Sequence, residues 1–88
     1  MENRQEILNI VSQERDYQEA ETKKIERPDM IENFGMGDTL SAIQYNLDKA
    51  RENWYIEAKP YPNTTSYLRK VAALCVKAGE AYGMTERK

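Results

Sequence analysis

Apolar residues return every three or four positions in three stretches of this chain, and the polar residues and breakers between them set the ends of three helices. The first stretch runs from about residue 4 to 24. There Ile7, Leu8, Val11 and Ile10 form a short apolar stripe that continues at helical spacing into Glu14, Arg15 and Gln18. A stripe that begins greasy and ends polar predicts a helix packed in the core at one end and lining a cleft or meeting solvent at the other. Pro28 prevents smooth continuation through Arg27. Residues 25–37 read as a loop punctuated by Pro28, Gly35 and Gly37, whose Met30, Ile31, Phe34 and Met36 are apolar enough to fold back over the core.

Asp38, directly after Gly37, is a good N-cap for a second helix over about 38–57. Leu40, Ile43, Leu47, Ala50 and Trp54 recur as its packed face, and Trp54 is expected in the core with its indole N–H near a partner. Lys59-Pro60-Tyr61-Pro62-Asn63 is a stiff connector, with Asn63 or Thr64 capping a third helix over about 65–82. Leu68, Val71, Ala72, Cys75, Ala78, Gly79 and Tyr82 form the face of this helix, and Leu74 and Val76 widen it. The small residues Ala72, Ala73, Ala78 and Gly79 permit close approach of another helix, within the chain or across an oligomer interface. Gly83 stops the helix and leaves a short polar tail over 84–88. The pattern therefore predicts an all-α fold, a compact three-helix domain spanning residues 1–88. A chain this short buries only roughly 60% of its extended surface, so assembly into a helical homo-oligomer or onto a partner is expected.

Charge and residue content narrow the chemistry. The net charge of -2 argues against a protein that coats nucleic acid, although a local basic stripe can hold a phosphate. Nothing at the first residues resembles a signal peptide, and no apolar run approaches the roughly 20 residues that cross a bilayer. Cys75 is the one cysteine, so there is no disulfide framework and a cytoplasmic setting is expected. With no histidine in the chain, a cysteine–histidine nucleophile is excluded, and Cys75 reads as a buried structural thiol. Gly35-Met36-Gly37 is too short for a phosphate loop and lacks its lysine. The nearest approaches to a magnesium-binding carboxylate pattern are Glu14 with Gln18 and Asp48 with Glu52, and the latter two are explained more simply by Lys49, Arg51 or water. No metal or other cofactor is implied.

The candidate binding residues are polar groups that continue apolar helix faces. Glu14, Arg15 and Gln18 lie on the first helix, Asn46, Lys49 and Asn53 on the second, and Arg69 and Lys70 open the third. Together they offer forked and point-charge donors for a phosphate and amides for a base edge. Of the six tyrosines, Tyr17 and Tyr45 lie beside these positions and are the preferred stacking rings. The plainer reading of every one of these residues is a solvated helix face or the filling of a thin core.

Two stretches carry a resemblance. Glu14-Arg15-Asp16-Tyr17-Gln18 resembles the Glu-Arg-x-x-Gln signature that opens small MazG-like proteins of bacteriophages and prophages. The run from Tyr67-Leu68-Arg69-Lys70 through the alanine-rich stretch to Glu80 and Gly83 is similar to the helix that closes them, and Gly37-Asp38 with the helix through Tyr45-Asn46-Leu47-Asp48-Lys49-Ala50 and Trp54 to their middle. The resemblance spans about residues 7 to 83. It implies a helical bundle, often dimeric or tetrameric, and an affinity for nucleotides. MazG-type enzymes split nucleoside triphosphates with magnesium through a Glu-Glu-x-x-Glu motif and a later Glu-x-x-Asp motif. Here the corresponding positions read Asn46-Leu47-Asp48-Lys49-Ala50 and Val76-Lys77-Ala78-Gly79-Glu80, so the resemblance implies the fold without the reaction.

The expected function is thus a noncatalytic, phage-type protein that sequesters a nucleotide or cyclic-nucleotide-like ligand, countering host defence. One alternative is an inhibitor that docks on a host protein through an exposed aromatic patch, either Trp54 with Tyr55 and Ile56 or Ile31 with Phe34. The other is an atypical magnesium-dependent nucleotide pyrophosphohydrolase using Glu14, Asp48 or Glu52.

Overall fold

The computed structural model describes residues 3–24 and 35–87. Among them are three helices and no strand: α1 (Arg4–Lys24), α2 (Met36–Ile56) and α3 (Pro62–Tyr82). The described residues are all-α, as the periodicity predicts. The expected fold-back of Met30, Ile31 and Phe34 lies outside the described residues. None of these helices is long and apolar enough to cross a membrane.

The helix ends are set by local hydrogen bonds that differ in detail from the sequence expectations. Asn3 caps α1, its side-chain oxygen accepting from the Glu6 N–H at 2.9 Å. Helix α2 begins at Met36 after an N-cap at Gly35, so Asp38 is not the cap; it sits in the first turn, where its charge suits the helix dipole. Helix α3 begins at Pro62, three residues earlier than the pattern implied, because proline at the first helical position needs no N–H partner. Tyr61, with φ of 58°, turns the chain into it through the left-handed region. Asn63 and Thr64 are not caps either. Their backbone N–H groups donate to the Glu57 carboxylate at 3.1 and 2.6 Å, and the Thr64 hydroxyl donates to the same group. At the other end Gly83, with φ of 81°, closes α3 by donating to the Gly79 carbonyl at 2.8 Å.

Helix α3 lies between the other two. Both α1 and α2 pack against it, and they meet each other at most marginally. Ile7 and Val11 share a hollow with Pro62 and Ser66, and Glu14 meets Arg69, so α1 runs alongside α3 in the same direction. Trp54 lies near Thr64, and Asp38 near Lys77, so α2 runs antiparallel to α3.

Which faces are buried is the main correction to the periodicity. The apolar side chains that are buried among the described residues are Ala50, Ala73 and Leu74, with Ala73 fully enclosed, and the buried polar one is Thr39. On α2 the packed stripe runs through Thr39, Ile43, Asn46, Ala50 and Asn53, about one position round from the expected one. Leu40 (57% exposed) and Trp54 (52% exposed) are left outside it, so Trp54 is not a core residue. On α3 the same rotation buries Ala73 and Leu74 while Leu68, Val76, Tyr82 and Cys75 are exposed, so Cys75 is not a buried thiol. Two physical features permit this choice. Ala50 and Ala73 let the helix backbones approach closely. Asn46 and Asn53 are tolerated at the seam because each amide nitrogen donates at 2.8 Å to the carbonyl four residues back, Ala42 and Lys49 respectively.

Two predictions follow from this packing. Ala73→Leu is expected to destabilise the fold by about 2 kcal/mol through overpacking, whereas Cys75→Leu is expected to be tolerated, as measured by chemical denaturation. The Glu57 carboxyl, which burial alone would raise, is held below its ordinary value of 4.5 by hydrogen bonds from Thr64 and Asn63. A carboxylate with a lowered folded value stabilises fully above its unfolded value and loses that contribution as pH falls through the folded one. The gap in melting temperature between the wild type and Glu57→Ala is therefore expected to hold steady near neutral pH and to close on acidification below the usual carboxylate range.

Candidate functional site

The polar continuation of the α1 stripe is used to fasten α1 to α3. The Arg69 Nε donates to Glu14 Oε1 at 2.6 Å and its Nη2 to the Ser66 hydroxyl at 3.2 Å. The Glu14 side chain is only 9% exposed, so this pair is largely withdrawn from solvent on the carboxylate side. A second pair, Arg15 Nε with Glu80 Oε1 at 2.9 Å, ties the same turn of α1 to the last turns of α3. Between them the Gln18 Nε2 donates to the Lys70 carbonyl at 3.3 Å. Lys77 lies near this seam. Burial, together with repulsion from Arg15, pushes its amine below the ordinary lysine value, while Asp38 opposes the shift. Four of the candidate residues, Glu14, Arg15, Gln18 and Arg69, are thus brought together as an interhelical hydrogen-bonded seam.

A second group forms across α2 and α3. The Lys49 ammonium sits 5.6 Å from the centroid of the Tyr45 ring, one helical turn away on α2. The Lys70 ammonium sits 4.8 Å from the centroid of the Tyr67 ring on α3. The two helices that carry these pairs pack against each other, and the Tyr67 phenol adds a minor upward push on the Lys49 amine. Lys49 donates to Glu52 at 3.3 Å, and this bond, the Glu52 charge and the Tyr45 phenol hold its amine above the ordinary lysine value. Asn46 and Asn53 border the group on α2; with their amide nitrogens committed to the backbone, their side-chain oxygens are the groups left to accept from a ligand. Tyr45 with Lys49 on α2 and Tyr67 with Lys70 on α3 are thus two ring-cation pairs on adjacent helices, with Asn46 and Asn53 beside the first. The sequence analysis did not select Tyr67, yet the signal was present: Tyr45 with Lys49 and Tyr67 with Lys70 are ring and cation pairs at helical spacings of four and three.

Tyr17 is exposed on α1, seven positions after Ile10 and so on the side of the helix that carries Ile10. Asp48 accepts from Gln44 Nε2 at 2.9 Å and Glu52 pairs with Lys49, so two of the carboxylates considered for metal binding have local partners. Among the described residues no group of three or more cysteine or carboxylate side chains is placed to hold a metal ion.

The seam and the ring-cation face differ in what their cations do for the fold. Arg69→Ala strands the enclosed Glu14 carboxylate and is expected to cost about 1 to 2 kcal/mol. Lys70→Ala leaves no buried group unpaired and is expected to change stability by less than about 0.5 kcal/mol. Urea denaturation of the two variants checks both.

Compared with family models, with curated proteins and with solved structures, the chain matches none.

Proposed function

We propose that this chain is a noncatalytic binding protein that holds a phosphorylated ligand with an aromatic base, a nucleotide or cyclic nucleotide, on the face formed by Tyr45, Lys49, Tyr67 and Lys70. The observation that carries the reading is the pairing of each ammonium with a tyrosine ring, one pair on each of two adjacent helices. A phosphate is attracted by the two ammonium groups, and a base has phenol rings to stack on. The Asn46 and Asn53 side-chain oxygens suit an exocyclic amine of such a base. Arg15 and Arg69 contribute at a distance, by fixing α1 against α3.

The noncatalytic part of the proposal rests on the sequence, which lacks the paired carboxylate motifs of the enzymes it resembles, and on the engagement of Glu14 and Glu52 with cationic partners. A protein that binds a nucleotide signal without consuming it acts by sequestration. A second reading is favoured by one observation: Tyr55 (73% exposed) and Ile56 stand with Trp54 at the end of α2, and such a cluster can anchor a host protein.

Calorimetric titration with a panel of linear and cyclic nucleotides, with and without magnesium, separates the readings. Saturable binding that weakens about tenfold or more in Lys49→Ala, Lys70→Ala and Tyr67→Leu, with no turnover, is the expected result. Binding that ignores all three substitutions would falsify the site. Failure to bind any nucleotide favours the protein-docking reading, and magnesium-dependent turnover lost in Glu14→Ala or Glu52→Ala restores the enzyme.

A further inference from the structure

In a layer of three helices with α3 in the middle, the two ring-cation pairs differ in what surrounds each ammonium. Among the described residues Lys70 pairs with the Tyr67 ring and with no carboxylate. Lys49 pairs with the Tyr45 ring and also meets a carboxylate, Glu52 Oε2, at 3.3 Å. Tyr45, Lys49 and Glu52 follow one another at intervals of four and three, so they share one side of α2. Glu52 is exposed, and its Oε1 makes no hydrogen bond among the described residues. The side-chain oxygens of Asn46 and Asn53 add two more acceptors on this helix. The α3 pair is therefore a bare cation beside a ring, whereas the α2 pair is a cation and a ring among acceptors.

We propose, building on the nucleotide reading above, that the two pairs divide the ligand between them: Lys70 takes the phosphate, and Lys49 with Glu52 reads the edge of a guanine base stacked on Tyr45. A phosphate is repelled by the Glu52 carboxylate and meets no such charge at Lys70. An ionised carboxylate is an acceptor only, with two oxygens to fill. Guanine alone among the common bases offers two adjacent donors, N1–H and the 2-amino group, that fill both oxygens at once, and its neighbouring O6 accepts from an ammonium. Lys49 beside Glu52 presents that complement, a donor next to a pair of acceptors. Adenine, cytosine and uracil each give a carboxylate one donor at most along that edge, so guanine gains one more charge-assisted hydrogen bond. The distances allow it. Lys49 touches both partners, so the carboxylate lies within about 9 Å of the Tyr45 ring centroid, a span that a purine stacked with the usual offset covers.

Calorimetric titration with guanosine, inosine and adenosine monophosphates, each in the 5′ and the 3′,5′-cyclic form, tests the division. The guanosine ligand is expected to bind about tenfold more tightly than the adenosine one, with inosine, which lacks the 2-amino group, between them. Glu52→Gln exchanges one acceptor for an amide donor, which opposes guanine and suits the adenine edge, so the preference is expected to fall to about one or to reverse. The far-ultraviolet helical signal of this variant is expected to be unchanged, because Glu52 is exposed. Lys70→Ala is expected to weaken all three ligands about tenfold and to leave their ratio as it was. Equal affinity of the wild type for the three bases overturns the inference, as does a guanine preference that survives Glu52→Gln or a base ratio that changes in Lys70→Ala. Each of these outcomes leaves the nucleotide reading standing. Failure of all three ligands to bind overturns the inference, and failure of the wider nucleotide panel overturns the reading beneath it as well.

Discussion

The close approach of helices at Ala73 is the constraint from which the rest of the structure follows. This residue is fully enclosed on α3, and α3 is the helix on which both others rest. A methyl group there lets neighbouring backbones come near, and Ala50 does the same from α2. Small residues at the contact leave no volume for large side chains. Leu40 and Trp54 of α2 and Leu68 of α3 lie to the flanks while Leu74 is buried, and the polar Asn46 and Asn53 can lie along the seam because they satisfy themselves on their own helix. The open apolar side and the cationic side are both consequences of that one narrow contact.

Electrostatics then decides how α1 is held. An apolar stripe of Ile7, Ile10 and Val11 reaches only the first half of α3, and beyond it the contact is made by Glu14 with Arg69, Arg15 with Glu80 and Gln18 with the Lys70 carbonyl. These bonds differ in worth. Glu80 is half exposed, and a pair with one end in water contributes little. Glu14 is nearly enclosed, so its pairing with Arg69 matters chiefly because breaking it would strand a carboxylate. Gln18 bonds the backbone carbonyl of Lys70, the residue whose ammonium lies over Tyr67.

Much of this was legible in the chain before any coordinates. Three helices, the stop at Gly83 and the polar turn of the first stripe all follow from spacing and from the chemistry of glycine and proline. The buried faces did not follow, because periodicity ranks faces by hydrophobicity and cannot weigh closeness of approach. Leu40, Leu47 and Trp54 outscore Thr39, Asn46 and Asn53 on any such scale, yet the latter set makes the contact. Glu57 was equally hidden: it caps α3 from across a five-residue connector, a link that no i to i+3 pattern exposes. In the candidate site, single positions such as Lys49 and Lys70 could be named from their helices, but that Arg15 and Arg69 face carboxylates 65 and 55 residues away in sequence is a tertiary fact.

The two sides of the layer are not energetically separate, because α3 supplies both. Leu68 and Ala72 line the apolar hollow, while Tyr67 and Lys70, on intervening positions of the same turns, form half of the cationic face. Anything that binds only the folded chain stabilises it by mass action, so a ligand held on the proposed face by Tyr67 and Lys70 would steady α3 as well. In a layer this thin, the apolar side sets how firmly the polar side is presented.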